Sequence, residues 1–166
     1  MEDKKFEKCA TERQKSATKA SAKVTASSQT PRAYSEIVKE HFLNPRNFLM
    51  GDETKFPHEA EGVVGNPVCG DQMKMFLQIK DDKIIDIKWK TYGCASAIAS
   101  TSALSELAKG KTLKEALKIG PEEITEYLGG LPKQKYHCSV LGHEALAAAI
   151  KAYRVQQNQP KKSRKK

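Results

Sequence analysis

Three cysteines stand in three short loops rich in glycine or polar residues: Gly65-Asn66-Pro67-Val68-Cys69-Gly70-Asp71, Tyr92-Gly93-Cys94-Ala95-Ser96 and Lys135-Tyr136-His137-Cys138-Ser139. None lies inside an apolar run, where a core cysteine belongs, and each has a neighbour able to ligate a metal or lower a thiol pKa. Together they read as one thiolate-rich metal or sulfur site. Asp71 lies two residues past Cys69, and in extended backbone such residues point to the same side, so thiol and carboxylate can face one centre while Gly70 supplies the bend. A turn aspartate beside a buried cysteine is the equal alternative. Cys94 stands just before a helix starting at Ala95, whose positive end favours the thiolate, and Ala95, Ser96 and Ala97 leave room beside it. His137-Cys138 opens the last helix, so Cys138 is expected to gain the same lowering, with Lys135 adding a cation and His137 an imidazole.

The cysteines are 25 and then 44 residues apart, unlike a C-x-x-C zinc knuckle, so the ligands must converge through the fold. Three thiolates with an aspartate or histidine suit zinc or an iron–sulfur cluster better than magnesium or calcium, and residue chemistry leaves the choice between those two open. Cys9 has no supporting residues and receives no role. His41, His58 and His143 read as a helix-face residue, a loop residue and an exposed helical residue. A zinc hydrolase would need a general base, and only Asp71 offers itself.

Elements that could position these loops follow from periodicity. Tyr34, Ile37, Val38, His41 and Phe42 form an amphipathic stripe that Asn44-Pro45 ends. Residues 63–68, 73–80 and 84–91 read as strands, the last two joined by a turn at Asp81-Asp82-Lys83, with Met73, Met75, Leu77, Ile79, Ile85, Ile87 and Trp89 alternating onto apolar faces. Helices follow over 95–109, capped by Gly110; over 112–118, opened by the Thr112/Glu115 capping box; over 121–128, opened by Pro121 and stopped by Gly129-Gly130; and over 137–153. A helix, three strands and then helices predict an α+β fold with a three-stranded antiparallel sheet covered by helices.

Composition bounds the function classes. The formal charge is +9, but residues 1–33 hold eight Lys/Arg against four Asp/Glu, residues 154–166 six against none, and the stretch between is nearly balanced at fifteen against sixteen. The expected organisation is a disordered tail over 1–33, one domain over 34–154 and a basic disordered tail over 155–166. The near-neutral domain carries no electrostatic footprint for a specific nucleic-acid partner. No apolar segment approaches a membrane span and no signal-peptide core follows the N-terminal lysines, so reduced thiols and a cytoplasmic protein are expected. The acid-free stretch from Arg13 to Arg32 keeps a transit peptide to a mitochondrion-related organelle as the alternative.

At Tyr34-Ser35 to Asn44-Pro45-Arg46-Asn47, Gly65 to Met73, Lys90 to Cys94 through Ser100, and Leu131 to Ser139, the sequence resembles the iron–sulfur cluster assembly scaffold family, the IscU type that is also the N-terminal domain of NifU. The resemblance spans about Tyr34 to Tyr153. It implies a non-enzymatic scaffold that builds a [2Fe–2S] cluster from iron and desulfurase-derived sulfur and passes it to apo-proteins, with zinc held in the cluster's absence. The implied ligands are Cys69, Cys94 and Cys138 with Asp71 or His137. Cys138 matches the persulfide acceptor, Asp71 a residue that keeps the cluster labile, and Lys135 a lysine beside the site. The implied partners are a cysteine desulfurase, an iron donor and apo iron–sulfur proteins. Leu131-Pro132-Lys133-Gln134-Lys135 departs from the Leu-Pro-Pro-Val-Lys that an Hsp70-type chaperone recognises, which puts that partner in doubt. The alternative is a zinc-dependent sulfur acceptor of the SufU type, whose members generally lack the histidine found here at His137.

Overall fold

The computed structural model describes residues 34–68 and 70–158; the segment 1–33 and the end of the chain from 159 lie outside the described residues. Strands β1 (Ala60–Asn66), β2 (Asp71–Lys80) and β3 (Lys83–Tyr92) form an antiparallel sheet in the order β1-β2-β3. Alternation puts Met73, Met75, Leu77 and Ile79 of β2 on the core face, where Met75 pairs with Trp89 and Leu77 with Ile87, all of them buried. The turn is one residue tighter than expected, because Lys83 already pairs with Lys80. Asp81 and Asp82 take φ of 51° and 59°, the left-handed pair that suits a two-residue hairpin and that aspartate tolerates.

Among the described residues, five helices accompany the sheet: α1 (Glu36–Leu43), α2 (Ala95–Ala108), α3 (Leu113–Ala116), α4 (Pro121–Tyr127) and α5 (Tyr136–Asn158). The alanine- and serine-rich α2 is buried almost all round, since its small side chains let it lie centrally against α1, α5 and β3. Gly62 explains how α5 crosses β1 so closely: a Cβ there would come within 2.4 Å of the Ala145 oxygen and the Ala149 nitrogen. The capping box at Thr112 and Glu115 is formed as expected, and Gly129 and Gly130 stop α4 with φ of 72° and 103°. Helix α5 continues to Asn158, one turn past the expected domain end at residue 154.

The sheet's outer face is not bare. Phe76 is buried there beneath His58, whose ring packs edge-on at 5.0 Å, while Lys74 reaches Glu53 at 2.6 Å and Glu61 at 3.0 Å. Of the histidines, His41 is the helix-face residue its stripe predicts, whereas His143 differs from its exposed reading. His41 is buried, with Nδ1 2.8 Å from the Ser102 hydroxyl, and His143 is partly buried with Nδ1 2.8 Å from the Ile119 carbonyl. Each fills a polar gap between packed helices that helical periodicity cannot reveal.

Candidate metal centre

One end of the sheet gathers the residues singled out above. Asp71 opens β2 opposite Asn66 and is buried. Between them the chain turns through Pro67–Gly70, with the Gly70 amide donating to the Asn66 carbonyl at 2.9 Å and Gly70 at φ 72°. Cys69 belongs to this turn by sequence but lies outside the described residues. Gly93 makes space for the carboxylate: a Cβ there would stand 2.9 Å from Asp71 Oδ1. Cys94 follows as the N-cap residue of α2, and Cys138 sits in the first turn of α5 with no exposed surface.

Cys138 is the middle of the cluster. Its Sγ lies 3.7 Å from Cys94 Sγ, 3.8 Å from Asp71 Oδ2 and 3.6 Å from His137 Nε2. Ligand atoms of Asp71, His137 and Cys138 all fall within 4.8 Å of one another. Ligands about 2.0–2.3 Å from a tetrahedral metal stand roughly 3.5–3.8 Å apart, so the spacing around Cys138 fits a thiophilic ion. The donors fit too, since thiolates, imidazole and a carboxylate suit zinc and iron. Lys135 adds positive charge felt by Cys94, Tyr34, Cys138 and Asp71.

The surroundings push the two described thiols in opposite directions. Burial works against the Cys94 thiolate, but the Ala97 amide, the Ser96 hydroxyl, the Cys138 thiol and the Lys135 charge outweigh it and hold this thiol below its ordinary pKa. Burial, the Cys94 charge and Asp71 push Cys138 well above its ordinary value, with Lys135 opposing. The expectation that the helix start and Lys135 make Cys138 a thiolate is therefore corrected for the metal-free protein. The two sulfurs stand 3.7 Å apart, so a charge on one disfavours a charge on the other, and the less buried Cys94 is the one whose surroundings favour the thiolate. Sequence reasoning also passed over Tyr34, whose hydroxyl meets the Ser96 hydroxyl at 2.8 Å, and Gly93; the invitation to consider Gly93 was its place next to a candidate ligand.

Residues 33–160 match the model of the NifU-like N terminal domain. The chain belongs to that family. It is 52% identical over 120 residues to the iron-sulfur cluster assembly scaffold protein IscU 1 of Archaeoglobus fulgidus, covering 72% of this chain and 76% of that protein. It is 43% identical over 134 residues to the iron-sulfur cluster assembly scaffold protein IscU of Aquifex aeolicus, covering 80% of this chain and 83% of that one. The crystal structure of a nitrogen-fixing NifU-like protein (N-terminal) from Brucella abortus superposes with a TM-score of 0.61 at 18% identity, covering 74% of this chain and 94% of that one, a likeness of fold. Among the described residues no helix is long and apolar enough to cross a membrane.

Proposed function

We propose that this chain is a scaffold on which an iron–sulfur cluster, as cargo, is assembled from delivered iron and sulfur and then handed to apo-proteins. The observation that carries the proposal is Cys138 Sγ standing 3.6–3.8 Å from a second thiol, a carboxylate and an imidazole at one end of the sheet. The likeness to relatives named as iron-sulfur cluster assembly scaffold proteins supports it. Cys94, Cys138, Asp71 and His137 are the described ligands in this proposal, and Cys69 completes the thiol set. Three thiolates match a [2Fe–2S] cluster, and the same donors would hold zinc in its absence.

Each residue has a distinct task. Cys94, the thiol whose pKa is lowered, is the first anchor. Cys138 takes sulfur from a cysteine desulfurase: its sulfur attacks the terminal sulfur of the donor's persulfide, a new S–S bond forms, and the donor cysteine leaves as thiolate. The Cys138 proton must go first, and His137 Nε2 at 3.6 Å and Asp71 Oδ2 at 3.8 Å are the bases in reach. A persulfide on Cys138 is surrounded by the other ligands, whereas one on Cys94 would sit at the edge of the set. Sulfide then forms when an external two-electron reductant, a dithiol in vitro, cleaves the persulfide S–S bond and returns Cys138 to the thiolate, and Lys135 offsets the negative charge that accumulates. Asp71 contributes an oxygen among sulfurs, the weakest bond to a thiophilic ion and so the place where an acceptor's thiol displaces the cargo. No step converts an organic substrate, so the role is that of a non-enzymatic carrier.

The test is anaerobic reconstitution of Cys94→Ser, Cys138→Ser and Asp71→Ala beside the parent protein. Both serine variants should fail to retain a cluster through desalting, and Asp71→Ala should retain it longer and release it more slowly to an apo-ferredoxin. Parent-like retention in both serine variants would refute the shared site. Tight zinc with sulfur acceptance but no cluster would favour a zinc-dependent sulfur acceptor of the SufU type.

A further inference from the structure

Cys138 has no exposed surface, yet a sulfur acceptor must meet a persulfide carried by another protein. Something must open, and the structure suggests what. The segment ahead of Cys138 begins at Gly129 and Gly130, both left-handed at φ 72° and 103°, and Gly130 has open space where a Cβ would be. It continues through a short 3-10 turn, Lys133–Lys135, closed by the Lys135 amide on the Pro132 carbonyl at 2.7 Å. Tyr136 and His137 then begin α5. Leu131 packs against the core at one end of this stretch.

Polar ties from residues 131–137 to any other element are sparse. Among the described residues there is one such side-chain hydrogen bond, from the Tyr136 hydroxyl to Glu122 Oε1 in the first turn of α4 at 2.5 Å, and no ion pair. The remaining bonds are local, such as the Ser139 hydroxyl to the Tyr136 carbonyl at 2.6 Å. Ser139 itself lies 3.4 Å from Thr125 of α4, while the segment reaches the buried thiol through His137, whose Nε2 stands 3.6 Å from Cys138 Sγ. A segment with a glycine hinge, few cross-element bonds and one tether is the low-stability kind that opens locally without global unfolding.

We propose that Tyr136 and Glu122 form a latch which, with Gly129 and Gly130 as the hinge, sets how often residues 131–137 swing aside and so how fast Cys138 becomes reachable by an incoming sulfur donor. The functional meaning of the latch rests on the scaffold proposal; its physical content does not. Tyr136 is a positioning residue in this account, acting on Cys138 through the first turn of α5. Charge at Glu122 strengthens the tie, because hydrogen bonds to an ionised acceptor are stronger than neutral ones.

The experiment uses the full chain, reduced and metal-free, with iodoacetamide as the probe and per-cysteine alkylation followed by peptide mass spectrometry. Removing one exposed hydrogen bond should raise the open population about two- to fivefold. Tyr136→Phe is therefore expected to speed alkylation of Cys138 by that factor while leaving the rate at Cys94 unchanged. Glu122→Ala removes the same bond from the other side and should reproduce the effect, which keeps the test available if one variant folds poorly. Glu122→Gln retains a neutral, weaker acceptor and should give a rate between those of the parent and Glu122→Ala. An unchanged Cys138 rate in Tyr136→Phe and Glu122→Ala would overturn the latch, and so would a parallel rise at both cysteines, which would mean general loosening. Because no metal, cluster or desulfurase takes part, failure of the scaffold proposal would show in reconstitution and leave these rates as they are.

Discussion

Gly93→Ala applies a small steric push to one ligand, and its size can be worked out. A Cβ at residue 93 would stand 2.9 Å from Asp71 Oδ1 and 3.0 Å from both Asp71 Cγ and the Ala97 Cβ, whereas ordinary contact begins at 3.4 Å. The carboxylate must therefore retreat by about 0.5 Å, more than the roughly 0.2 Å latitude of a metal–ligand bond. Displacing a ligand through its supporting shell typically costs about 10–100-fold in metal affinity. Gly93→Ala should weaken zinc binding by that factor, or about 1.4–2.7 kcal/mol, in competition with a chromophoric chelator using reduced, anaerobic protein. Residue 93 has no left-handed φ to lose, so the fold should survive with a modest drop in thermal midpoint from the tighter Ala97 contact. The decisive control is Asp71→Ala, in which no carboxylate remains to be pushed. The two substitutions should then fail to multiply, and the double variant should bind zinc like Asp71→Ala alone. Parent-like affinity in Gly93→Ala, or effects that multiply in the double variant, would refute the placement of Asp71 in the ligand set.

Three further outcomes follow from the geometry. Gly62→Ala should be strongly destabilising, by about 3 kcal/mol or roughly 10 °C in thermal midpoint, because the added methyl meets rigid backbone of α5; differential scanning calorimetry checks it. Burial first and then Arg46 lower the pKa of His41, with Glu106 and Glu40 opposing. The unfolded chain therefore binds more protons than the native one, and the neutral ring's contribution is complete above the unfolded value near about 6.5 and is lost as pH falls below it; the thermal midpoint should fall between about pH 7 and 5, less steeply in His41→Gln. With Cys94 held below its ordinary pKa and Cys138 above it, the thiolate absorbance of the metal-free protein should include an early step below the usual cysteine range of about 8.5, and that step should be missing in Cys94→Ser but kept in Cys138→Ser, with Cys9 and Cys69 still contributing in both.

The sheet was legible because it rests on short-range rules. Met73, Met75, Leu77 and Ile79 alternate with polar residues, and Asp81-Asp82 carries a turn signal, so the antiparallel hairpin follows from periodicity and left-handed tolerance. Helix ends were legible where a cap was written into the chain, as at Thr112/Glu115 and Gly129-Gly130. The convergence of Asp71, Cys94, His137 and Cys138 followed from their chemistry and the family resemblance, and the structure brings these four together. Charge states were not legible: helix-start arguments treat each thiol by itself, whereas Cys94 and Cys138 stand 3.7 Å apart and compete for one negative charge. Nor were the roles of His41 and His143, whose hydrogen bonds to Ser102 and Ile119 join residues 61 and 24 positions away. Contacts at that separation depend on how helices pack, which no local pattern encodes.

The central claim is that the cluster of donors around Cys138 assembles an iron–sulfur cluster and lets it go. Its most direct test is anaerobic incubation of the full chain with ferrous iron, cysteine, a cysteine desulfurase and a dithiol as reductant of the persulfide sulfur, followed by desalting, iron and sulfide analysis and visible circular dichroism, and then addition of an apo-ferredoxin. Iron and sulfide in equal amounts on the chain, a [2Fe–2S] spectrum, and transfer of that spectrum to the ferredoxin are the predicted result. A chain that accepts sulfur yet retains only zinc, or one whose cluster never reaches the ferredoxin, would contradict the account.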